Sequence, residues 1–491
     1  MVKRLLSVSK AGKSSWVSWL LTGASVLLML IVGDAQPAYT LPLHKVNAIP
    51  AFARKYGLPC SACHTAWPEL NAFGQVFRDN GYQLMNDRDS PIWQNPSYFP
   101  IAFRITPNWH LENTSHQPID AIPGNGNSGL VDGTITQHGF DLSGMDLWSA
   151  GTLYKNVSFV LLPSSDATAS WHFESAFIRF DNLFKTPWLN LKFGKFELDN
   201  LISEKRFLFL SNNGGIYQAY HFLPVGDSNN FGIGDNQLGF EVAGHSANSY
   251  TRYAVSVLSS NEGGVGFTSA PSGATNINNY TGRSYDAYLT FMQGFQAGSW
   301  GLQRLQGFAY IGQRSTVFNQ TVGGVAIPAT GTGNKPFYRV GLQGDFYLGK
   351  FEFLPFYQYG YDNVYLGTST PANLPLPTGA KAPTWNSAFI ETHYYVNPQL
   401  VLLQRDEFVR MSQQAIPGTP GTQGNIDAYS FGYRWYPIMF SRAGVAFHNE
   451  VSIVKSVGNV PLSGDGSGLP PLSPTAPVWS SSIFVGFDFD F

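Results

Sequence analysis

The sequence predicts an all-β fold, a transmembrane antiparallel β-barrel of about sixteen strands, with a small N-terminal helical module ahead of it. Three observations predict the barrel. Aromatic residues make up 15% of the 491 residues and charged residues 13%, while 51 glycines and 31 prolines mark many turns. From Phe99 onward apolar and polar residues alternate with period two, and no convincing helix interrupts them. After the N-terminal leader there is no run of about 18 apolar residues. A chain of this kind enters a membrane as a closed barrel, because only helices and barrels satisfy every backbone group in lipid. The formal net charge of -2 argues against nucleic-acid binding, which needs a basic surface to displace phosphate counterions.

Residues 1–38 read as a secretory signal peptide. Lys3, Arg4, Lys10 and Lys13 form the basic start, Trp16 to Gly33 the apolar run, and small residues follow as far as Ala38. The same run is long enough to serve as an uncleaved anchor helix.

Residues 39–98 form the module. The two cysteines of the chain stand as Cys60-Ser61-Ala62-Cys63-His64, the spacing of covalent c-type haem attachment. Two thiols on one helical turn can add to both vinyl groups of one haem, and His64 then offers its imidazole as the proximal iron ligand. A disulfide or a thiol redox pair explains the cysteines of an exported chain but leaves His64 without a role. Pro68-Glu69-Leu70 opens an expected helix that stops at Asn80-Gly81. Its apolar face of Leu70, Phe73 and Phe77 covers a porphyrin or packs on protein. Met85 is the candidate distal ligand, with His44, His110 and His116 as rivals beside an open iron. A lone Met is also ordinary core filler.

Residues 99–491 form the barrel. Tyr338, Val340, Leu342, Phe346 and Leu348 alternate with Arg339, Gly341, Gln343 and Asp345. Leu189, Leu191 and Phe193 alternate with Asn190, Lys192 and Gly194, and Tyr429, Phe431, Tyr433 and Trp435 with Ser430, Gly432 and Arg434. Apolar-out and polar-in is the pattern of a lipid-facing strand around a wet lumen. The closing strand Ile483, Val485, Phe487, Phe489, Phe491 resembles the terminal signature of bacterial outer-membrane proteins. Long polar segments near 113–133, 197–234, 261–282, 316–335, 361–383, 411–425 and 457–479 alternate with tight turns such as Leu348-Gly349-Lys350. Long loops are extracellular in such barrels, so the haem segment lies at the periplasmic side. It is too small to bury its own core and is expected as a plug in the lumen or at its mouth. Asp345 and Glu241 read as ordinary lumen charges, and no acidic cluster or His pair stands out as an iron site.

Ala51-Phe52-Ala53-Arg54, Gly57, Cys60-x-x-Cys63-His64, Pro68, Leu70, Phe73-Gly74, Phe77 and Gly81-Tyr82 together resemble the fused outer-membrane monohaem c-type cytochrome-porin family of iron-oxidising bacteria. Gln75 departs from the basic residue expected after Phe-Gly. The resemblance implies one haem c, thioether bonds from Cys60 and Cys63, His64 on the iron, and oxidation of extracellular Fe(II), an oxidoreductase activity if it is counted as catalysis. Electrons would pass to a periplasmic carrier, a cytochrome or copper protein. The expected function is therefore outer-membrane electron transfer from an extracellular donor. The alternatives are a solute porin with a structural or regulatory haem plug, and a soluble periplasmic β-sandwich redox protein.

Overall fold

The structure is a computed structural model. It describes residues 50–85, 89, 91–94, 100–120, 130–165, 170–206, 208–222, 233–259, 285–315, 320–322, 325–327, 334–362, 382–412, 425–439, 444–457 and 477–490. Residues 1–38, read as a signal peptide, and His44 lie outside them.

Period-two alternation becomes sixteen long strands. They are β1 (Ile101–Asp120), β2 (Leu130–Tyr154), β3 (Val157–Ser165), β4 (His172–Phe180), β5 (Asn190–Glu197), β6 (Asn236–His245), β7 (Thr251–Ser259), β8 (Tyr285–Gln296) and β9 (Leu302–Ser315), then β12 (Asn334–Leu348), β13 (Phe351–Asp362), β14 (Thr384–Asn397), β15 (Leu400–Met411), β16 (Ile426–Met439), β17 (Gly444–Val457) and β18 (Pro477–Asp490). A separate small hairpin pairs β10 (Gln320–Val322) with β11 (Val325–Ile327). Each long strand pairs antiparallel with its chain neighbour, and β1 pairs with β18 to close the ring of sixteen. The closing register sets Arg104 opposite Asp490 and Trp109 opposite Val485. Closure leaves no strand edge, which is what lipid demands.

The faces sort as the alternation predicts. On β12, Val340, Leu342 and Leu348 are exposed outward, while Arg339, Gln343 and Asp345 are buried inward. On β18, Trp479, Ile483, Val485, Phe487 and Phe489 face out, and Ser480, Ser482, Asp488 and Asp490 face in. Strands β3 and β4 depart from the long-loop pattern, being joined by the brief connection 166–171. Tight turns at Lys155-Asn156, Gly349-Lys350 and Pro398-Gln399 share one end of the barrel with the start of β1. The long connections leave from the other end.

One expectation changes. The segment after β5, read as a polar outer loop, turns into the lumen. Leu198, Ile202, Phe209, Tyr217, Ala219 and Tyr220 are buried there. Tyr217 stacks on Phe389 of β14 at 4.5 Å between ring centroids, and Tyr220 meets Phe356 of β13 at 5.0 Å. Wall groups satisfy its backbone: Leu201 N donates to Gln306 at 2.6 Å, Ile202 N to Gln343 at 2.9 Å and Ala219 N to Glu407 at 2.5 Å. The lumen is thus partly a packed aromatic core and not a uniformly wet channel. Each fully buried aromatic there contributes roughly 1.5–3 kcal/mol. A one-turn helix in this segment (Gln218–His221) carries His221, whose Nε2 lies 2.7 Å from Glu204 Oε2. Burial works against the charge on His221, and the Glu204 carboxylate overrides it, raising the pKa to about 9.

Candidate functional site

Among the described residues, three helices precede the barrel: α1 (Pro50–Tyr56), α2 (Cys60–Cys63) and α3 (Ala72–Asp79). The helix expected from Pro68 begins instead at Ala72. Asn71 is the reason. Its side chain accepts from Gly74 N at 2.9 Å, capping α3, and its amide donates to the carbonyls of Ser61 and Ala62 at 3.1 Å each. One residue therefore closes the start of α3 and the end of α2. The expected stop is observed, with Asn80 as C-cap and Gly81 at φ +70.

Between α2 and α3 the chain makes a narrow loop. Asn71 N donates to Cys63 O at 2.9 Å, Thr65 N to Glu69 O at 3.3 Å, and His64 bridges to Leu70. This presents two carbonyls to one imidazole. His64 Nδ1 lies 3.1 Å from Pro68 O and 3.0 Å from Glu69 O. Carbonyls only accept, so Nδ1 carries the proton and Nε2 keeps its lone pair. No hydrogen bond to Nε2 occurs among the described residues. Burial pushes the His64 pKa down to about 4, outweighing the two carbonyl bonds that favour the charged form, and the nearby Arg206 guanidinium adds to the lowering. The imidazole is therefore neutral near pH 7. A neutral, oriented imidazole next to two cysteines one turn apart is the donor set that a covalently held haem requires.

The expected apolar face divides. Phe77 is buried against Phe52 at 5.2 Å and Tyr56 at 5.4 Å, with Phe52 stacked on Tyr82 at 5.0 Å. Phe73 is 43% exposed and stays available for a further apolar group. Met85 is 45% exposed at φ +57. His110 sits on β1 beside Asn108 at 3.3 Å. His116 pairs with Asp132 at 2.7 Å, about twelve residues and roughly 40 Å further along β1 than Arg104. Because Arg104 stacks on Trp67 of the His64 loop at 5.9 Å, His116 is removed as a distal ligand.

The helical segment sits inside the ring. Lys55 donates to Thr152 of β2 at 3.1 Å, Arg179 of β4 to Arg78 O at 2.9 Å, and Arg252 of β7 pairs with Asp79 at 3.1 Å. Tyr395 of β14 reaches Glu69 at 3.0 Å, and Tyr436 of β16 donates to Trp67 O at 2.6 Å. These strands lie all round the barrel, and only an internal plug touches all of them. Ala66 and Trp67 share one apolar cluster with Leu208 and Phe209 of the inner segment and with Val401, Leu403, Tyr436 and Ala446 of the wall. Arg206 of that segment holds Glu197 at 2.8 Å, and Arg78 reaches the same carboxylate at 3.4 Å. Sequence reasoning missed Asn71, Arg206 and Glu197. An Asn ahead of the Ala-Phe-Gly-Gln run was a legible cap signal, whereas the two charges are joined only by the fold. Asp345 and Glu241 are lumen charges as expected, paired with Arg304 at 2.8 Å and Lys192 at 2.5 Å.

Gly74 is where α3 meets α2. A Cβ added there overlaps the Cys63 carbonyl oxygen. Gly74→Ala is expected to force the two helices apart and cost about 1–3 kcal/mol of plug seating. Limited proteolysis of the folded barrel should then cut within 57–82 faster than in the wild type, and equal cutting would refute the tight approach.

No family model and no curated protein matches the chain. Among solved structures, it is similar to an anion-selective porin from Comamonas acidovorans (TM-score 0.48, 10% identity, covering 80% of this chain and 99% of that one). It is likewise similar to OprB of Pseudomonas putida (TM-score 0.44, 10% identity, 79% and 94% covered) and OmpF of Salmonella typhi (TM-score 0.42, 10% identity, 80% and 97% covered). At such scores these likenesses carry no argument about function. The strand ladder defines a closed sixteen-strand antiparallel barrel, and contacts from β2, β4, β7, β14 and β16 seat the helical segment inside it.

Proposed function

We propose that this chain is an outer-membrane electron-transfer protein in which Cys60 and Cys63 hold one haem c and His64 is its proximal ligand. The observation that carries the reading is the tautomer of His64, whose Nδ1 is fixed by Pro68 and Glu69 while Nε2 stays open. The apolar outer face and closed ring support a lipid setting. A c-type haem supplies one-electron oxidation and reduction. The chain's own residues do the rest. Tyr436 holds the carbonyl of Trp67, Asn71 ties α2 to α3, and Arg179 holds the carbonyls at the end of α3, so the His64 ring keeps one orientation. The aromatic inner segment and Ala66 keep water from that side of the loop. The plug lies at the short-turn end, which suits docking of a soluble periplasmic cytochrome or copper protein. Fe(II) as the external donor follows the family resemblance, and Met85 as distal ligand follows its position just after α3; both remain part of this proposal.

The second reading is a solute porin with a structural plug, and a closed sixteen-strand ring lined by charges such as Arg339, Arg405 and Arg434 favours it. Reduction of the haem by external Fe(II) in intact cells separates the two, since a porin passes solutes into liposomes without it. Orientation has its own test. A protease-cleavable tag inserted beside Val325, in the hairpin of the long β9–β12 connection, should be cut on intact cells, and one at Gly349 should not. The reverse pattern would place the plug toward the medium.

A further inference from the structure

We propose that Glu69, Glu352 and His393 form a binding site for one divalent first-row transition-metal ion at the seam between the plug and the barrel wall. The site needs no haem and stands apart from the electron-transfer reading.

Glu352 on β13 and His393 on β14 are direct cross-strand partners, both pointing inward and both buried. Glu69 reaches them from the His64 loop. One donor atom from each lies within 4.8 Å of the others. His393 Nδ1 stands 2.9 Å from Glu352 Oε2 and 3.4 Å from Glu69 Oε2. Donors bound side by side on one ion, with bonds of about 2.1 Å, are about 3.0 Å apart in an octahedron and about 3.4 Å in a tetrahedron. Both carboxylates already stand at that spacing from the imidazole, and the three donors lie within 4.8 Å of one another.

The surroundings point the same way. His393 Nε2 lies 2.7 Å from Glu391 Oε1, and Arg405 steadies Glu391 at 3.4 Å. With its Nε2 proton given to Glu391, His393 turns the Nδ1 lone pair toward the carboxylates, the carboxylate–imidazole–metal arrangement of known sites. Tyr395 OH is 3.0 Å from Glu69 Oε2 and 2.5 Å from Glu352 Oε2, and one phenol proton serves only one of them. Tyr347 OH holds the other Glu352 oxygen at 2.6 Å. Asp345 also lies against Glu352, with Arg304 at 2.8 Å on its far side. Four carboxylates thus face two guanidiniums in a buried place. A divalent ion with His393 neutral balances them, with Glu407 further off beside Arg405 at 3.9 Å. Buried carboxylates left unmatched are costly.

Two carboxylate oxygens and one imidazole nitrogen suit Mn(II), Fe(II), Co(II) or Zn(II). They fit Ca(II) poorly, which takes oxygen ligands alone, and Cu(I), which asks for sulfur.

The test uses the full chain, purified in detergent and stripped with chelator. Mn(II) is titrated in, and the six-line paramagnetic resonance signal of the free aquo ion is followed, a signal to which haem iron adds nothing. One Mn(II) per chain should be taken up and then displaced by Zn(II). Glu69→Gln, which leaves every strand intact, and His393→Gln should each weaken uptake about tenfold or more. Glu174→Gln, whose carboxylate pairs with Lys205 at 2.9 Å, should change nothing. Heat-modifiable migration certifies each variant as folded. Failure of the folded wild type to take up either Mn(II) or Co(II) would overturn the site, as would uptake unchanged in both ligand variants.

Discussion

Replacing Cys60 and Cys63 with alanine is expected to abolish haem staining of the denatured chain completely. The wild-type protein, made in cells that mature c-type cytochromes, should carry peroxidase activity through denaturing electrophoresis, because thioether bonds survive detergent and heat. No other cysteine exists in the sequence to replace these two. Both lie in α2, which no strand residue builds, so the barrel should still show heat-modifiable migration in the double variant. The expected result is thus loss of stain with retention of fold. Stain persisting in the double variant would end the haem assignment. A wild-type chain without stain, but with a disulfide between Cys60 and Cys63, would return the motif to the thiol reading.

How much of this was legible beforehand varies with the range of the interactions. Strand faces were legible because in-out alternation is a local property. Arg339, Gln343 and Asp345 face in and Val340 and Leu342 face out simply by parity. Closure was legible from the Phe-ended last strand, which pairs with β1 as a final strand must. The inner segment was not legible. Its Ser-Asn-Asn-Gly-Gly stretch has the composition of a surface turn. It folds inward because Gln306, Gln343, Glu407 and Glu450, all from distant strands, receive its backbone donors. The start of α3 was misplaced because Pro68 suits a first helical turn in isolation, whereas here its carbonyl is committed to His64. The Cys-x-x-Cys-His motif was fully visible in sequence. Its seat, between Trp67, Tyr436, Arg206 and Glu69, was not, because those interactions join residues more than a hundred positions apart. The same holds for Glu352 and His393, which no spacing rule connects.

Adding Fe(II) to intact cells that carry the protein is expected to reduce its haem, and His64→Ala should slow that reduction about tenfold or more, compared per haem attached. Electron transfer falls steeply with separation, so one haem can join two compartments only from within the wall between them. The plug is held there by contacts from β2, β4, β7, β14 and β16, with its loop at the short-turn end. A small hydrated ion would have to enter the lumen from the long-loop side. A protein carrier cannot enter it, and must wait at the other mouth. His64 is the residue to change because its ring is neutral, oriented and open at Nε2, so alanine would remove the proposed ligand without touching the wall. The double cysteine variant sets the zero of the assay. If reduction is equally fast in wild type and His64→Ala, the imidazole is not on the iron. If no external donor reduces the haem of intact cells at all, the conduit is lost and the plugged porin stands, a barrel whose helical plug limits what solutes pass and carries no electrons.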